Sequence, residues 1–371
     1  MQAADQGHGI ACWVTAANSA GQASVTSNTL QAPASLRIIF VDVGHGDAII
    51  LRYGSWTGLI DGGPQATEGN PAYQDPAYYA EAIRTELNKA WDADGVTAAA
   101  RRIDCLVITH AHNDHIGGLV TPMDPSDPAS TLIQLFRPRL YVYAEDPGVS
   151  PGVPDYPQDA GVKYWDALPT PSESAKSELA AVGALPWSAL TGTQLPWGGL
   201  DARVLSPTSL TSDHNANSVV VLLKYAGKGF LFTGDMTSRL DSSGNPIGES
   251  DNEENVANAV GGSLYLLKVA HHGFSDATSA GFVAAIHPQF AVISAGPDSG
   301  SPPPATTILN DNGACVYSTF NNGTITVDVE PSGEVTWSFS KGPTPLGGVP
   351  RARNAAGNVQ TKAVSNLLAV K

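Results

Sequence analysis

The chain has 371 residues, 42% of them hydrophobic, with 38 glycines and 27 prolines, which fits a loop-rich globular protein able to bury one large core or two modest ones. Its 20 basic against 35 acidic residues give a formal charge of −15, which argues against a protein that grips long nucleic acid by its phosphates. No apolar run reaches bilayer-spanning length, the start Met1-Gln2-Ala3-Ala4-Asp5 lacks the regions of a secretory leader, and the isolated Cys12, Cys105 and Cys315 make no disulfide framework.

In chain order, Ile10 to Leu30 alternates in two stretches around Asn18-Ser19-Ala20-Gly21, a hairpin signal. It resembles the last two strands of a bacterial immunoglobulin-like domain. Two strands cannot bury a core alone, so they are expected to pack on the main domain, on another chain, or to stay poorly ordered. Such modules are common in exported bacterial proteins, and localisation leans to secreted or extracytoplasmic on that ground. Leu36 to Ile60 reads as two strands with a turn at Gly44 to Asp47, closed by Asp61-Gly62-Gly63, and the short polar Asp42, His45 and Asp47 read as turn formers. Asp75 to Trp91 has apolar residues at helical spacing with Pro76 near its start, which predicts a helix.

The densest chemistry lies in Leu106 to Leu119, LVITHAHNDHIGGL. Leu106, Val107 and Ile108 suit a buried strand, which leaves the potential ligands at its tip. If the backbone stays extended through His110 and His112, their side chains share a face and can hold one ion. A turn at Asn113 would bring Asp114 and His115 to a second position, with a helix beginning at Gly117-Gly118. Imidazole with a little carboxylate suits zinc, with manganese or iron as alternatives on ligand type.

From Val120 to Pro196 prolines recur, and this most loop-like region is expected to hold the lids that shape a pocket, with Tyr141, Tyr143, Tyr156, Tyr164, Trp165, Trp187 and Trp197 as lining. Ser212 to Ser218 precedes the strand VVVLLKY, a turn at Gly227 to Gly229, and FLFTGD, so that His214 and Asp235 are expected near one sheet end. Ser263 to Ala270 reads as a strand delivering His271-His272-Gly273 to the same edge, with the role of Lys268 open. CVYSTF, GTITVDVE and EVTWSFS read as closing hairpins of the second sheet, and residues 342–371 as a tail.

HAHNDH fits the HxHxDH signature of the metallo-β-lactamase superfamily, whose hydrolases fold as a four-layer αβ/βα sandwich. FVDVGHGDAIILRYGSWTGLIDGG from Phe40 and LLKVAHHGF from Leu266 resemble the DVGQGD, DGG and LKVPHHGS segments of the metallo-β-lactamase domain of ComEC-type competence proteins. His45 stands where Gln is usual, and Phe274 where Ser is usual. The resemblance spans about residues 36 to 330 and implies a catalytic domain over 35–341, with residues 1–34 as a β extension and 120–200 carrying the lid.

It further implies two divalent ions, zinc or else manganese. His110, His112 and His214 would hold one, and Asp114, His115 and one of His271 and His272 the other, with Asp235 between them. Asn217 is the alternative to His214 for the third-motif slot. His271 is preferred over His272 as the first residue off the strand, leaving His272 to hydrogen-bond substrate or serve as the other ligand. Asp114 would also orient the attacking hydroxide, and Asp61 would order the site without ligating. The implied activity is hydrolysis of phosphodiester bonds in small phosphodiesters or short nucleic acid, with neither long duplex nor membrane as partner. A carbonyl hydrolase, lactonase or β-lactamase, is the alternative on the same site, and a non-catalytic metal-binding or scaffolding module the alternative of another class.

Overall fold

The computed structural model describes residues 34–64, 77–144, 174–208, 210, 213–237, 252–296 and 303–347, and the backbone alone at 9–10, 13–18, 21–26, 30–31, 171–173, 352–353 and 359–360. Alternation along the first strands sorts side chains into two cores. Leu36, Ile38 and Phe40 face one, and Ile39 and Val41 the other, so the sheet is buried on both faces. Leu36 to Ile60 holds three strands where two are read from sequence: Leu36–Phe40, Ile49–Tyr53 and Trp56–Ile60. Gly54-Ser55 turns the last two into a tight hairpin that a run of apolar residues conceals.

The first sheet has eight strands, in the order Leu185–Ser188, Leu140–Tyr143, Cys105–Val107, Trp56–Ile60, Ile49–Tyr53, Leu36–Phe40, Ile325–Val329, Val335–Phe339. The second has six, in the order Asp201–Ser206, Val220–Tyr225, Lys228–Phe232, Leu266–Lys268, Phe290–Ile293, Cys315–Ser318. Their inner faces share one core, with Phe40 against Phe232 at 6.4 Å between ring centroids and Trp197 buried against Trp56 at 5.6 Å. Helix Tyr78–Ala93 covers the outer face of the first sheet through Ile83, Leu87 and Trp91. Asn252–Val260, Ala280–Ile286 and Ala305–Asp311 cover the second through Val256, Phe282, Val283 and Leu309. Helix, sheet, sheet, helix is the four-layer sandwich.

Other expectations shift. The strand Cys315–Ser318 pairs parallel to Phe290–Ile293 and then turns helical at Thr319–Asn322, while Ile325–Val329 and Val335–Phe339 form a hairpin on the first sheet. The closing segments therefore divide between the sheets, because Ile325–Val329 completes the pairing of Leu36–Phe40. The proline-rich region contains helices Leu132–Phe136 and Pro171–Ala181 and strands Leu140–Tyr143 and Leu185–Ser188. Proline at a first helical position is compatible with the helix it starts, as Pro171 is. Trp197 is 1% exposed, a core residue and no lid, as is Tyr141 at 8%. Tyr156, Tyr164, Trp165 and most of the tail lie outside the described residues. Strands Trp13–Asn18 and Gly21–Thr26 pair antiparallel, Asn18 opposite Gly21.

Candidate metal centre

Both sheets point the C-terminal ends of their parallel strands to one edge. Trp56–Ile60, Cys105–Val107 and Leu140–Tyr143 run parallel in the first, as do Lys228–Phe232, Leu266–Lys268 and Phe290–Ile293 in the second. Strand interiors are apolar because both faces are covered, so polar side chains collect where the strands stop. The two edges are tied where Val219 N donates to Thr109 O at 2.9 Å.

After Cys105–Val107 the strand stops and the chain bends at Ala111, so the run through His110 and His112 is not a continuous extension, and a short helix starts at Asn113, earlier than the glycines would suggest. Asp114 and His115 thus stand in its first turn. Gly118 is needed where it sits, since a Cβ there would lie 2.2 Å from Gly62 O. Asp61 holds a left-handed φ of 56°, an uncommon conformation for a residue other than glycine, and its buried carboxylate accepts from Thr109 N at 2.8 Å, Thr109 Oγ1 at 2.6 Å and His115 Nδ1 at 2.8 Å. That bond fixes the His115 ring and aims Nε2 inward.

There four residues converge. His115 Nε2 is 3.1 Å from Asp235 Oδ2 and 3.7 Å from Asp114 Oδ2. His272 Nε2 is 3.1 Å from Asp114 Oδ2 and 3.2 Å from Asp235 Oδ2. His272 is itself held from behind, Nδ1 donating to Ser294 O at 2.8 Å. Two ligands about 2.1 Å from one tetrahedral ion lie about 3.4 Å apart, so the separations suit donors aimed at common points. The buried His115 Nε2 makes no well-directed hydrogen bond despite its near carboxylate, and His110 Nε2 and Asp235 Oδ1 are likewise buried without a hydrogen-bond partner among the described residues. Such orphaned atoms are costly unless something else satisfies them. The donor set therefore fits divalent cations.

Beside this group lies a row of imidazoles. His110 and His112 have ring centroids 4.5 Å apart, His112 and His214 5.7 Å, and His110 and His115 4.2 Å. His214 is half-buried in the turn before Val220–Tyr225, and Asn217 lies fully buried in the same turn, its N–H donating to His214 O at 3.1 Å. The preference for His271 is corrected. His271 and His272 both take positive φ, 46° and 50°, which rotates successive side chains apart. His272 enters the cluster, while His271 Nδ1 pairs with Asp276 at 2.7 Å on the rim, its Nε2 3.3 Å from Asn215 Nδ2.

Three residues of the centre escaped the sequence reading. Asp47 and Lys268 form a fully buried ion pair, with Lys268 Nζ also 3.7 Å from Asp235 Oδ1 and 2.9 Å from Gly234 O. His45 Nε2 lies 3.6 Å from Asp114 Oδ2. The signal was available: the Gly44 to Asp47 turn leaves Leu36–Phe40 at the same edge as Asp61, since antiparallel neighbours place every second turn together. Gly46 lets that turn close on the ligand helix, because a Cβ there would lie 2.2 Å from Asp114 O.

Burial opposes charge on every ionisable group here, and the neighbours decide which way each moves. Burial is outweighed at His115, where Asp235, Asp114 and Asp61 raise the imidazole well above its ordinary pKa, and at His272, which Asp235 and Asp114 push up to about 10. At Asp114 and Asp235 burial is overcome by His115 and His272, which hold both carboxyls below the usual range. His110 and His112 move down, since burial dominates and further imidazoles add to it.

The sequence profile described as the Metallo-beta-lactamase superfamily matches residues 42–247. ComE operon protein 3 of Bacillus subtilis (strain 168) is 24% identical over 292 residues, which are 77% of this chain and 32% of that protein. Competence protein ComA of Neisseria gonorrhoeae is 24% identical over 272 residues, 72% of this chain and 28% of that one. The chain thus spans about three-tenths of the length of these relatives. Among solved structures it is similar to the metallo-beta-lactamase fold protein YhfI of Bacillus subtilis, with a TM-score of 0.45, 11% identity, and coverage of 76% of this chain and 96% of that one.

Proposed function

We propose that this chain, which belongs to the metallo-beta-lactamase superfamily and is a metal-dependent hydrolase by family and donor set, cleaves phosphodiester bonds. The observation that carries the metal dependence is the meeting of Asp114, His115, Asp235 and His272, whose ligand atoms all lie within 4.8 Å of one another. The phosphodiester reading is supported by the sequence shared with two competence proteins.

We assign one ion to Asp114, His115 and His272 with Asp235 Oδ2, and a second to His110, His112 and His214 beside them. Bound divalent ions supply a Lewis acid and lower the pKa of a coordinated water from 15.7 to about 7. The protein's own groups do the rest. Asp114 Oδ2, facing His115, His272 and His45, can take a hydrogen bond from an attacking water and turn its lone pair toward phosphorus. Asp61 and Ser294 O hold His115 and His272 in fixed tautomers, because each accepts from Nδ1 and leaves Nε2 to the centre. Lys268 offsets part of the negative charge of Asp47 and Asp235 without reaching solvent.

The test is a substrate panel on zinc- and manganese-loaded protein: bis-p-nitrophenyl phosphate, a phosphate monoester, single-stranded DNA, a lactone and a cephalosporin. Turnover of the diester or the oligonucleotide above the others is expected. Turnover confined to the lactone or cephalosporin overturns the phosphodiester reading, and no retained metal and no turnover overturn the enzyme.

A further inference from the structure

Three rings meet at the mouth of the centre. The His45 ring lies 4.3 Å from that of His272 and 5.5 Å from that of Phe274, tilted 41° to the latter. Phe274 in turn meets the edge of His271 at 5.3 Å. All three stay partly open, with the His45 side chain 24% exposed and that of His271 19%. The backbone beneath the wall is closely packed. A Cβ on Gly296 would lie 2.7 Å from His45 N, and Phe274 N donates to His271 O at 2.8 Å, which fixes the Phe274 backbone one residue beyond the 3₁₀ turn that carries His272. His45 and Phe274 are two of the three positions, with Ala270 in place of proline, at which the motifs depart from the residues usual in the domain they resemble, and neither Gln nor Ser carries an aromatic ring.

We infer that His45 and Phe274 form a stacking wall for a planar aromatic group of the substrate, a nucleobase carried by the phosphate that Asp114 faces. This rests on the phosphodiester reading above and names the group beside the phosphate. The two rings, 5.5 Å apart between centroids, touch each other and leave no slot between them, so a base stacks on their open flank, within reach of Asp114 Oδ2, 3.6 Å from His45 Nε2. His271, anchored by Asp276, closes the far end. Charge makes stacking the expected grip. With 35 acidic against 20 basic residues the chain has little to attract phosphate outside the metal centre, whereas stacking on an aromatic ring needs no cation and accepts every base.

The experiment is calorimetric titration of zinc-loaded protein with adenosine 5′-monophosphate and with ribose 5-phosphate, which share the phosphate and differ by the base. Wild type should bind the nucleotide ~10-fold or more tightly, as stacked bases contribute in other single-strand sites. His45→Gln and Phe274→Ser should each narrow the gap and together close it, with zinc content and ribose 5-phosphate affinity held. Equal affinity of wild type for the two probes, no binding of either, or a gap that survives the double substitution overturns the inference. So does loss of zinc from His45→Gln, which would make His45 a ligand. Failure of the parent reading is distinct: no hydrolysis of bis-p-nitrophenyl phosphate with the nucleotide preference intact removes the reaction and leaves the wall.

Discussion

The two halves of the centre are built from opposite materials. Around Asp114, His115, Asp235 and His272 imidazoles and carboxylates alternate in full or near-full burial, whereas His110, His112 and His214 stand in a row with rings stacked edge to face and no carboxylate in the row. The first half is a preformed counter-ion that protons can fill, so His115 and His272 move up in pKa. In the second, burial and neighbouring imidazoles move His110 and His112 down. The proposed assignment joins both halves in one machine, yet their chemistry predicts that they fail differently.

The largest expected effect comes from breaking the first half. Asp114→Ala removes the oxygen that His115, His272 and His45 all face, and hydrolysis should fall by ~10³-fold or more while circular dichroism keeps its wild-type form. Activity within about tenfold of wild type would sink the assignment. Next comes the base beneath it. Lys268→Met leaves Asp47 buried without its cation, and breaking a buried pair from one side costs about 3–5 kcal/mol, so the urea midpoint should drop sharply at an unchanged m-value. A midpoint within experimental error of wild type means that the pair is not closed in solution.

How far these residues can be read from sequence follows from how they are held. HAHNDH is contiguous, so His110, His112, Asp114 and His115 are legible as candidate ligands from local spacing alone. The fold is legible for a similar reason, because strand and turn signals are local even though Gly54-Ser55 hides one hairpin and Ile325–Val329 returns to a sheet begun 289 positions earlier at Leu36. What spacing cannot supply is long-range choice. The left-handed φ at His271 and His272 decides which ring turns inward, and nothing in the residue pair itself reveals it. Asp47 and Lys268 are 221 positions apart and become a pair only when the two sheets close. The turn reading of Asp47 and His45 is right for their backbone and silent on where that turn lands.

Metal loading sharpens the contrast between the halves by pH. An ion entering the first half must displace the protons that Asp235 and Asp114 hold on His115 and His272, so its affinity should climb as pH rises, ~10-fold per unit for each proton displaced. At His110 and His112 burial lowers the imidazole pKa, so an ion entering beside them displaces fewer protons and its affinity should depend less steeply on pH. Stability follows the same sign. In ion-free protein the raised pKa of His272 contributes stability that is complete below pH 6.5 and lost as pH climbs through about 10, and bound zinc should remove that slope. Zinc equivalents retained at pH 6 and pH 8, with melting midpoints at each, report both. Two equivalents with identical pH slopes would erase the distinction.

The smallest expected effect concerns what the centre does not grip. A dinuclear site is a compact source of positive charge, but it neutralises one phosphate, and long duplex is held by many. The slope of log affinity against log salt counts the phosphates neutralised, at about 0.9 per contact on duplex. With 20 basic residues against 35 acidic, and Arg139 and Arg101 paired with Asp104 and Asp92 respectively, the charge balance disfavours a track. Metal-loaded protein carrying Asp114→Ala should therefore bind a fluorescent duplex weakly, with a slope near one between low and moderate salt. A short single strand stacked at His45 and Phe274 should bind as well as the duplex or better, since bases in a duplex are already stacked on one another. Tight duplex binding with a steep slope would show that scattered basic side chains converge into a groove, and would turn the proposed enzyme of small phosphodiesters into a nuclease of long DNA.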